Sequence, residues 1–586
     1  MHIPKLQQSQ QKMQTISIFG GYDHNLRIPD GSFYEMKNMT SDHYPVLASR
    51  EQRGRMDTAR PVQAIVSSHG LCRVEDGDFH LPGDLVIGMN LTSGGKTLIT
   101  MGGYVIILPD KKWINVAEAE EHIGSGEVWG SLENTWEKGS GDVTVQVCHP
   151  DGTPREDWVV ATEKPAAPTD GQLWRDTSRY PAELKRWSQE LGQWLTGESC
   201  CLKLSADGIG KGFYEGDTVE VTLTDPKVEI DEKTQLLRWE ENALVVYGYI
   251  PTGSCKLTGE GTLKLSRKIP DMDLVFECGN RLWGCKYGIV GDKFLNEIYC
   301  SKLGDFRNWY SFQGVSTDSY VASIGADGPF TGAVAYMGRP LFFKENCMIE
   351  VYGSYPATYQ VQTTLCAGVQ KRCHKSLAVV NNVLYYKSRQ GVCAYDGSLP
   401  VQIGSVFGSQ RYYMATAGAW GSKYYICMDS GTESSLFLYD TLRGLWHRED
   451  NVYITDFVVC EDAFYGLVAN TGKILNLSYC NVWNPETVDW MVETGPLGLI
   501  EPERRYVSRI SLRLWLESGA TATLSCRYDN QPCWEPLVSL TGTELGNISV
   551  PIRPRRCDHV RLKLEGQGPV RVYSLTKVWE EGSDVR

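Results

Sequence analysis

The segment Asn382–Gly397, NVLYYKSRQGVCAYDG, carries the pattern that decides the fold. Two short apolar runs, rich in aromatic and β-branched residues, flank a polar turn, as is typical of a β-hairpin. Segments with the same pattern begin at Asn280, Arg339, Ser422 and Asp462. Successive segments start 40 to 59 residues apart. Repeats near this length with aromatic strand ends favour the blades of a β-propeller, each made of four antiparallel strands.

Two further phrases extend the repeat. Tyr104–Trp113 reads YVIILPDKKW, and Leu436–Trp446 reads LFLYDTLRGLW; each predicts a strand, a polar turn and a tryptophan that returns to the sheet. They indicate first propeller blades over residues 60–116 and remaining blades over residues 270–494, six or seven in all. A closed ring removes the unpaired strand edges that promote aggregation. A solenoid is the main alternative, although solenoid repeats are usually shorter and more regular.

The rest of the chain forms three further regions. Residues 1–59 indicate an N-terminal extension with docking strands, and residues 117–269 indicate inserted accessory β modules, a small barrel or sandwich. Within this insertion, RYPAELKRWSQEL at Arg179–Leu191 predicts one short helix. Residues 495–586 alternate apolar and polar residues in short runs, which favours a C-terminal β-sandwich. The predicted fold class is therefore all-β.

Composition narrows the classes of function. The 586 residues carry 58 Lys and Arg against 71 Asp and Glu, a formal charge of −13, which argues against a nucleic-acid binder. No apolar run has the length of a membrane helix, and the first residues lack the apolar core of a secretory signal. The 18 cysteines include no CxxC pair. We therefore expect reduced, buried thiols in a protein that folds in a reducing cytoplasm.

Four carboxylates are the main candidates for catalysis, because glycan-cleaving enzymes place two carboxyl groups across the sugar. They are Asp305, Asp440, Glu449 and Asp450, each in a predicted turn near a blade end. A β-turn also favours such residues, since an aspartate side chain accepts hydrogen bonds from its own backbone. We prefer the turn interpretation for all four.

The stretch Ser301–Phe312, SKLGDFRNWYSF, shows the same ambiguity. The sialidase Asp box runs Ser-x-Asp-x-Gly-x-x-Trp, whereas here the glycine precedes Asp305. We expect a blade corner in which Gly304 and Asp305 form the turn. The aromatic residues expected to anchor the returning strand are Phe306, Trp309 and Phe312.

Other catalytic and metal-binding patterns are missing from the sequence. There is no GxSxG, HExxH or EF-hand phrase, and SGGKT at Ser93–Thr97 lacks the spacing of a phosphate loop. Cys373 and His374, as neighbours on a strand, would point to opposite faces. His447 is interpreted as an exposed turn residue, and the basic run Arg553–Arg556 as a solvated loop. The sequence therefore predicts no catalytic, cofactor-binding or metal-binding residue, no cofactor, and a protein that is not an enzyme.

Several phrases, in chain order, resemble one family. They are Ile16–Gly54, which begins ISIFGGYDHN, followed by Asn280–Phe312, Arg339–Pro356 and Gly391–Pro400. Together they resemble the propeller-containing tail nozzle and packaged-DNA stabilisation proteins of tailed bacteriophages. Pro168–Trp194 is similar to a short module of phage tail and fibre proteins, and the closing RVYSLTKVWEEGSDVR is similar to a tail-protein ending. The resemblance covers most of the chain apart from part of the insertion.

The resemblance implies a structural virion protein of a phage tail, a nozzle or hub, made in the host bacterial cytoplasm. It implies a cyclic homo-oligomeric ring below the portal or head-to-tail adaptor, which retains DNA and serves as its exit conduit. Tail fibre or spike proteins are the other implied partners. Genomic DNA would pass through the lumen without sequence-specific binding, which suits an acidic protein because a basic wall would hold the phosphates.

Two alternatives remain open. One is a carbohydrate-binding or glycan-cleaving propeller protein, in which Trp174, Trp187 and Trp194 stack on sugar rings. The other is an intracellular propeller scaffold, which no specific motif in the sequence supports.

Overall fold

The computed structural model describes residues 11–56, 58, 60–119, 128–197, 200–469, 471–478, 487–497, 505–542, 544–552, 555 and 557–581. As predicted, the described chain is almost entirely β structure. Its helices are α1 (Val116–Ala119) and single 3-10 turns at Pro82–Asp84, Pro356–Thr358, His374–Ser376 and Ser405–Phe407. No helix in the described part is long and apolar enough to cross a membrane. The chain divides into two compact units, which comprise Met1–Lys96, Gly328–Glu350 and Gln362–Arg586 in the first, and Thr97–Asp327 and Val351–Val361 in the second.

The N-terminal strands complete sheets that are otherwise built from residues far along the chain. These strands are β1 (Gln11–Ile16), β2 (Phe33–Lys37), β3 (Met39–Thr40), β4 (Leu47–Ser49) and β5 (Gly54–Met56). Two four-stranded antiparallel sheets follow directly. The first contains β6 (Val62–Ser67), β7 (Leu71–Glu75), β8 (Asp78–His80) and β9 (Val86–Ile87). The second contains β10 (Thr97–Met101), β11 (Tyr104–Leu108), β12 (Lys112–Asn115) and β13 (Trp129–Ser131).

The next twelve strands form an eight-stranded sheet and a small four-stranded sheet. In the sequence, the four strands of the smaller sheet lie between the second and third strands of the larger one. The larger sheet contains β14 (Asn134–Glu137), β15 (Val143–Cys148), β20 (Cys200–Ser205), β21 (Thr218–Leu223), β22 (Lys233–Glu240), β23 (Ala243–Gly248), β24 (Ser254–Leu257) and β25 (Leu263–Arg267). The smaller sheet contains β16 (Trp158–Ala161), β17 (Leu173–Asp176), β18 (Glu183–Ser188) and β19 (Gln193–Thr196). The insertion was predicted to begin at residue 117, but the eight-stranded sheet begins at Asn134 with β14. The strand before it, β13, pairs with β12 of the preceding sheet.

Five more four-stranded sheets complete this series. The first two contain β26 (Leu274–Glu277), β27 (Leu282–Val290), β28 (Lys293–Cys300) and β29 (Tyr320–Ser323), then β30 (Gly332–Tyr336), β31 (Arg339–Lys344), β32 (Cys347–Tyr352) and β33 (Gln360–Leu365). The next two contain β34 (Ala378–Val380), β35 (Val383–Ser388), β36 (Gly391–Tyr395) and β37 (Val401–Gln402), then β38 (Met414–Trp420), β39 (Lys423–Asp429), β40 (Ser434–Asp440) and β41 (Leu445–Arg448). The last contains β42 (Ile454–Cys460), β43 (Ala463–Val468) and β44 (Ile474–Asn476), with β5 as its fourth strand.

The predicted hairpins are confirmed for three of the five repeat segments, which form β31–β32, β35–β36 and β43–β44. The segments that begin at Asn280 and Ser422 are not hairpins by themselves: each lies within one strand, β27 or β39, which pairs with the strand that follows it. Trp113 and Trp446 both lie, buried, in the returning strands β12 and β41. The repeat in the sequence therefore corresponds to the middle two strands of each sheet.

Within each unit, successive sheets pack face to face through apolar side chains. In the first unit, β34 lies beside β38, β38 beside β42, and β42 beside β6. Val62 and Ile65 of β6 share a cluster with Ile474 of β44. In the second unit β10 lies beside β26, and Ile99 packs in one cluster with Leu282. The sheets that contain β38 and β42 thus have a neighbouring sheet on both faces, and such packing stabilises short strands.

The C-terminal strands form two sheets that share one apolar core with the N-terminal strands. They are β45 (Asp489–Thr494), β46 (Arg505–Leu516), β47 (Thr521–Tyr528), β48 (Glu535–Thr541), β49 (Gly546–Pro551), β50 (Val560–Gln567) and β51 (Val570–Glu581). One sheet has the order β3-β4-β51-β46-β49 with β1 also on β51, and the other has the order β2-β45-β50-β47-β48. The alternating runs predicted after residue 495 are strands, and β45 begins before that point.

The helix predicted at Arg179–Leu191 is wrong. Residues Glu183–Ser188 form β18, which lies between β17 and β19. Leu184 and Trp187 are three residues apart, a spacing that puts both on one face of a helix but on opposite faces of a strand. Pairing on both edges supplies the backbone hydrogen bonds that an isolated short helix would have had to provide alone.

Candidate functional site

Asp440 is a turn residue in the structure. It is fully buried at the end of β40 and accepts hydrogen bonds from Ser41 Oγ at 2.6 Å and Arg443 Nη1 at 2.7 Å. The backbone amides of Leu442 and Arg443 also donate to it. Burial alone would raise the pKa of Asp440, but Ser41 and Arg443 hold this pKa below the ordinary value. All acceptor positions are thus used inside the fold.

Glu449 and Asp450 belong to a buried ion cluster. Arg53 contacts Glu449, and its Nη1 lies 2.5 Å from Asp450 Oδ2, while Arg50 approaches the same oxygen at 3.6 Å. Burial acts to raise the pKa of Asp450, yet the two guanidinium groups lower it overall. Two cations and two anions neutralise each other here, as buried charges require. The cluster joins the segment before β5 to the turn after β41.

The stretch Ser301–Phe312 lies between β28 and β29 and is a corner, as expected. Gly304 has a φ of +73°, and Asp305 accepts hydrogen bonds from the amide and Nε of Arg307, at 3.1 and 3.2 Å. Trp309 is buried and donates from Nε1 to the carbonyl of Phe306 at 2.9 Å. The prediction for the third aromatic residue is wrong, since Phe312 is 58% exposed.

Two further sequence interpretations need correction. His447 is not an exposed turn residue; it lies in β41 opposite Leu438 and is buried. Cys373 does not lie on a strand but directly before the 3-10 turn that contains His374, so strand alternation does not separate the pair. Burial raises the pKa of Cys373 to about 11, which leaves its thiol protonated and unreactive.

The expected burial of the cysteines is seen in the described residues, where all are buried or half-buried except Cys533. None of these described cysteines forms a disulfide. No group of three or more His, Cys, Asp or Glu side chains in the described part could hold a metal ion. Of the basic run Arg553–Arg556, only Arg555 is described, and it pairs with Glu535 at 2.8 Å.

The three tryptophans proposed to stack on sugars lie together in the small sheet of β16–β19. Trp174 is buried, and Trp187 and Trp194 are half-buried. The Trp194 ring stands edge-on to both others, with ring centroids 5.3 and 5.5 Å apart. These rings therefore pack against each other, while Leu173 and Leu184 of the same small sheet pack in the apolar cluster of the eight-stranded sheet.

A groove of about 620 Å³ in the second unit is the better candidate for a binding site. Its aromatic walls are Trp129 in β13, Trp136 in β14 and Tyr214 in the segment between β20 and β21, all half-exposed. Its polar lining includes Glu133, Asn134 and Lys211. Small-molecule sites combine aromatic walls and a few polar groups in volumes of this order.

A buried ion pair holds the floor of this groove in place. The Arg267 guanidinium donates to Asp217 Oδ2 at 2.5 Å and to the carbonyls of Leu132, Ser131 and Gly212 at 3.0 Å each. It thereby joins β25 to the segments that carry the groove residues. Burial raises the pKa of Asp217, and the Arg267 charge opposes this shift.

Two more contacts position the groove's rim. Asn134 Nδ2 donates to the carbonyl of Lys211 at 2.9 Å. Gly212, with a φ of +76°, packs so close to Asn134 that a Cβ would lie 3.0 Å from its side chain. The Arg307 guanidinium lies 4.1 Å from the Tyr214 ring centroid, so the corner Ser301–Phe312 supports this wall of the groove.

Sequence reasoning missed this groove. Trp129 and Trp136 stand in the acidic, Gly-rich stretch EVWGSLENTWEKGSGD. Two tryptophans seven residues apart in such a polar stretch were the one signal that the sequence offered for the groove. The groove itself depends on tertiary pairing, because β14, which carries Trp136, pairs with the distant strand β25.

Comparison with known proteins identifies no family. No family model and no curated protein matches the chain. Solved structures that match include the exo-beta-1,3-galactanase of Phanerochaete chrysosporium (8% identity, TM-score 0.22, 52% of this chain and 94% of that one) and the Trypanosoma rangeli sialidase (9%, 0.21, 67% and 93%). The Pyrococcus horikoshii acylaminoacyl peptidase also matches (9%, 0.25, 53% and 55%).

These comparisons correct one prediction from the sequence. The expectation that the chain is not an enzyme is contradicted, because the matched structures include a galactanase and a sialidase, and we withdraw it. At such identities and TM-scores the matches transfer no reaction and no catalytic residue to this chain.

Proposed function

We propose that the seven four-stranded sheets outside β14–β25 are the blades of one seven-bladed propeller, closed by β5. The packing of β34, β38, β42 and β6 in sequence order supports this arrangement, as does that of β10 on β26. The strands β14–β25 would then be an insertion between the second and third blades. The C-terminal sandwich, completed by β1–β4, would follow the last blade.

We further propose that the protein is a structural component of a bacteriophage tail, a nozzle or hub. The observation that supports this most is the ordered series of phrases from Ile16–Gly54 to Gly391–Pro400. In the structure the first phrase contains β2–β4 and ends where β5 begins, and the other three fall in successive sheets of the series. The ring would bind copies of itself by rotational symmetry, meet the portal or head-to-tail adaptor, and carry fibre or spike proteins.

The charge of the chain supports a conduit for DNA more than a DNA binder. With 71 acidic against 58 basic side chains the chain repels phosphates overall, whereas each phosphate that Lys or Arg neutralises would add affinity that retards ejection. The lumen would thus let the genome pass while the closed ring below the portal retains it.

Imaging tests this proposal directly. Negative-stain microscopy of the purified chain should show rings of several copies, and mass spectrometry should detect the chain in purified phage particles at several copies per virion. A chain that stays monomeric at every concentration and is missing from particles would overturn the tail proposal.

The groove supports a second candidate function, that of a glycan-binding or glycan-cleaving protein. Trp129 and Trp136 offer ring surface for the C–H face of a sugar, and Glu133, Asn134 and Lys211 offer partners for its hydroxyls. The Tyr214 ring, against which the Arg267 and Arg307 guanidinium groups lie, would serve as a wall. Glycan binding would also suit a tail protein that touches a cell surface.

A glycan array, followed by titration of any hit, tests the second candidate. Trp136→Ala should weaken binding by about tenfold or more, as expected for the loss of one buried stacking contact. Tyr180→Ala is the matched control, because Tyr180 is fully exposed and outside the groove. A panel of chromogenic glycosides examines cleavage. Equal binding by both variants, or no hit on the array and no hydrolysis, would rule out this role for the groove.

A further inference from the structure

A second cavity, of about 230 Å³, lies in the first unit and differs from the groove in its chemistry. It is formed by the β35–β36 hairpin turn and the segment between β37 and β38. Its charged lining residues are Lys387, Arg389 and Arg411, and no aspartate or glutamate lines it. Most of the remaining lining is polar, with Gln370, Gln390, Gln402, Gln410, Tyr412 and Tyr413.

Lys387 brings a buried positive charge to this cavity. Only 5% of the residue is exposed, and its Nζ donates to Gln370 Oε1 at 2.7 Å and to the Ser388 carbonyl at 2.6 Å. Both acceptors are neutral, and no described carboxylate lies within ion-pair distance of this Nζ. A lysine ammonium has three donors, so one remains for another acceptor. A buried charge without a counter-ion is costly, and an anion in the cavity would relieve that cost.

Arg389 and Arg411 supply two more cations at the mouth of the cavity. Both are exposed, and among the described residues neither forms an ion pair with a carboxylate. Guanidinium groups bind carboxylates and phosphates through paired N–H donors, which makes arginine the usual residue for such ligands. Three cations that converge without an acidic neighbour distinguish this cavity from the ion clusters elsewhere in the chain.

One neutral side chain of the lining also keeps a free donor. Gln410 Oε1 accepts from the hydroxyls of Tyr412 at 2.6 Å and Tyr22 at 3.3 Å, so its amide nitrogen is left to donate. The amide nitrogens of Gln370 and Gln402 already donate to backbone carbonyls, at 3.1 and 2.7 Å.

The backbone is closely packed at one wall of the cavity, because a Cβ on Gly404 would lie 2.7 Å from the amide nitrogen of Val392. The donors that remain for a ligand are therefore those of the three cations and Gln410.

We propose that this cavity binds an oxyanion, the carboxylate or phosphate group of a ligand, with Lys387 at its base and Arg389 and Arg411 at its mouth. The volume is several times the roughly 30 Å³ that one water occupies in the liquid, so it accommodates one such group with part of its carrier. The site does not depend on the tail proposal, nor on the groove in the second unit.

Isothermal titration with inorganic phosphate and, separately, with acetate tests the proposal, with ionic strength held constant by sodium chloride. We expect one site per chain for at least one probe. Arg389→Gln and Arg411→Gln should each weaken its affinity by about tenfold, the effect of one charge-assisted hydrogen bond. Arg27→Gln is the control, because Arg27 is exposed, outside the cavity, and loses the same charge.

The two probes also distinguish the source of the anion. Preference for phosphate would indicate a phosphate ester, and preference for acetate would indicate an acidic sugar or peptide carboxylate. The thermal midpoint of each variant without ligand shows whether it is folded; the two cavity variants should match Arg27→Gln in this respect. If neither probe binds, or if all three variants bind as tightly as the natural chain, the proposal is wrong.

Discussion

His447 is a buried group whose protonation the fold opposes. Burial, together with the nearby charge of Lys423, lowers its pKa to about 4. Its Nδ1 has no hydrogen-bond partner among the described residues. Because the folded pKa lies below the ordinary histidine value of 6.5, the unfolded chain binds more protons between these two values. The stability from the neutral ring is therefore complete above pH 6.5 and is lost as the pH falls towards 4.

This linkage predicts a local loss of stability in mild acid. Between pH 7 and pH 5, β40 and β41 should lose about 2 kcal/mol of stability through this histidine. His447→Gln removes the titration, so that loss should disappear in the variant. Hydrogen exchange of the peptides covering both strands, corrected for the intrinsic rate, measures it. His43→Gln, which alters an exposed histidine, should behave like the natural chain. Equal pH dependence in His447→Gln would contradict the prediction.

The Arg267–Asp217 pair predicts a strong effect on folding stability. Arg267→Met leaves a buried carboxyl without its counter-ion and should destabilise the second unit by about 3–5 kcal/mol. Arg238→Met is the matched control, because Arg238 pairs with Glu215 at the surface, where an ion pair contributes about 1 kcal/mol or less. Calorimetry of both variants provides the comparison. Adding Asp217→Asn to Arg267→Met should recover part of the loss; similar midpoints for the two single variants would show that the pair is not important.

At the scale of elements, the sequence predicts the hairpins better than the sheets they join. Alternation in Asn382–Gly397 is a local signal, and β35–β36 forms where it indicates. The addition of β5 to β44 involves residues more than 400 positions apart, and no local pattern at Gly54–Met56 specifies that partner. The groove escaped prediction for the same reason, since Trp136 and Tyr214 meet only through tertiary pairing. His447 was misjudged because a polar side chain in a short strand resembles a turn.

The register of β5 on β44 predicts which residues can be cross-linked. Arg55 lies opposite Leu475, and directly opposed residues on antiparallel strands have the spacing that a disulfide needs. Arg55→Cys with Leu475→Cys should therefore form a disulfide on mild oxidation. Arg55→Cys with Ile474→Cys should not, because neighbouring residues on a strand point to opposite faces. Peptide mapping without reductant identifies the bond, and equal yields from both pairs would contradict this register.

For the whole molecule, the charge balance predicts weak contact with DNA. With 71 acidic and 58 basic residues, the purified chain should bind a short duplex more weakly than about 100 µM at physiological salt. Fluorescence anisotropy of a labelled duplex, repeated at lower salt, measures this. A micromolar affinity that tightens steeply as salt is removed would identify a DNA-binding surface and contradict the role of a passive conduit.

The pairing of β1 with β51, in which Gln11 lies opposite Glu580, has a consequence for biosynthesis. At roughly 5–20 residues per second, a ribosome needs about half a minute to two minutes to synthesise the stretch from β1 to β51. During that time β1 has left the ribosome but its partner strand does not yet exist. A polypeptide that stops before β51 would leave β1 and β4 without the strand on which both pair. These two N-terminal strands can therefore reach their places in the sheet only after β51 has been synthesised.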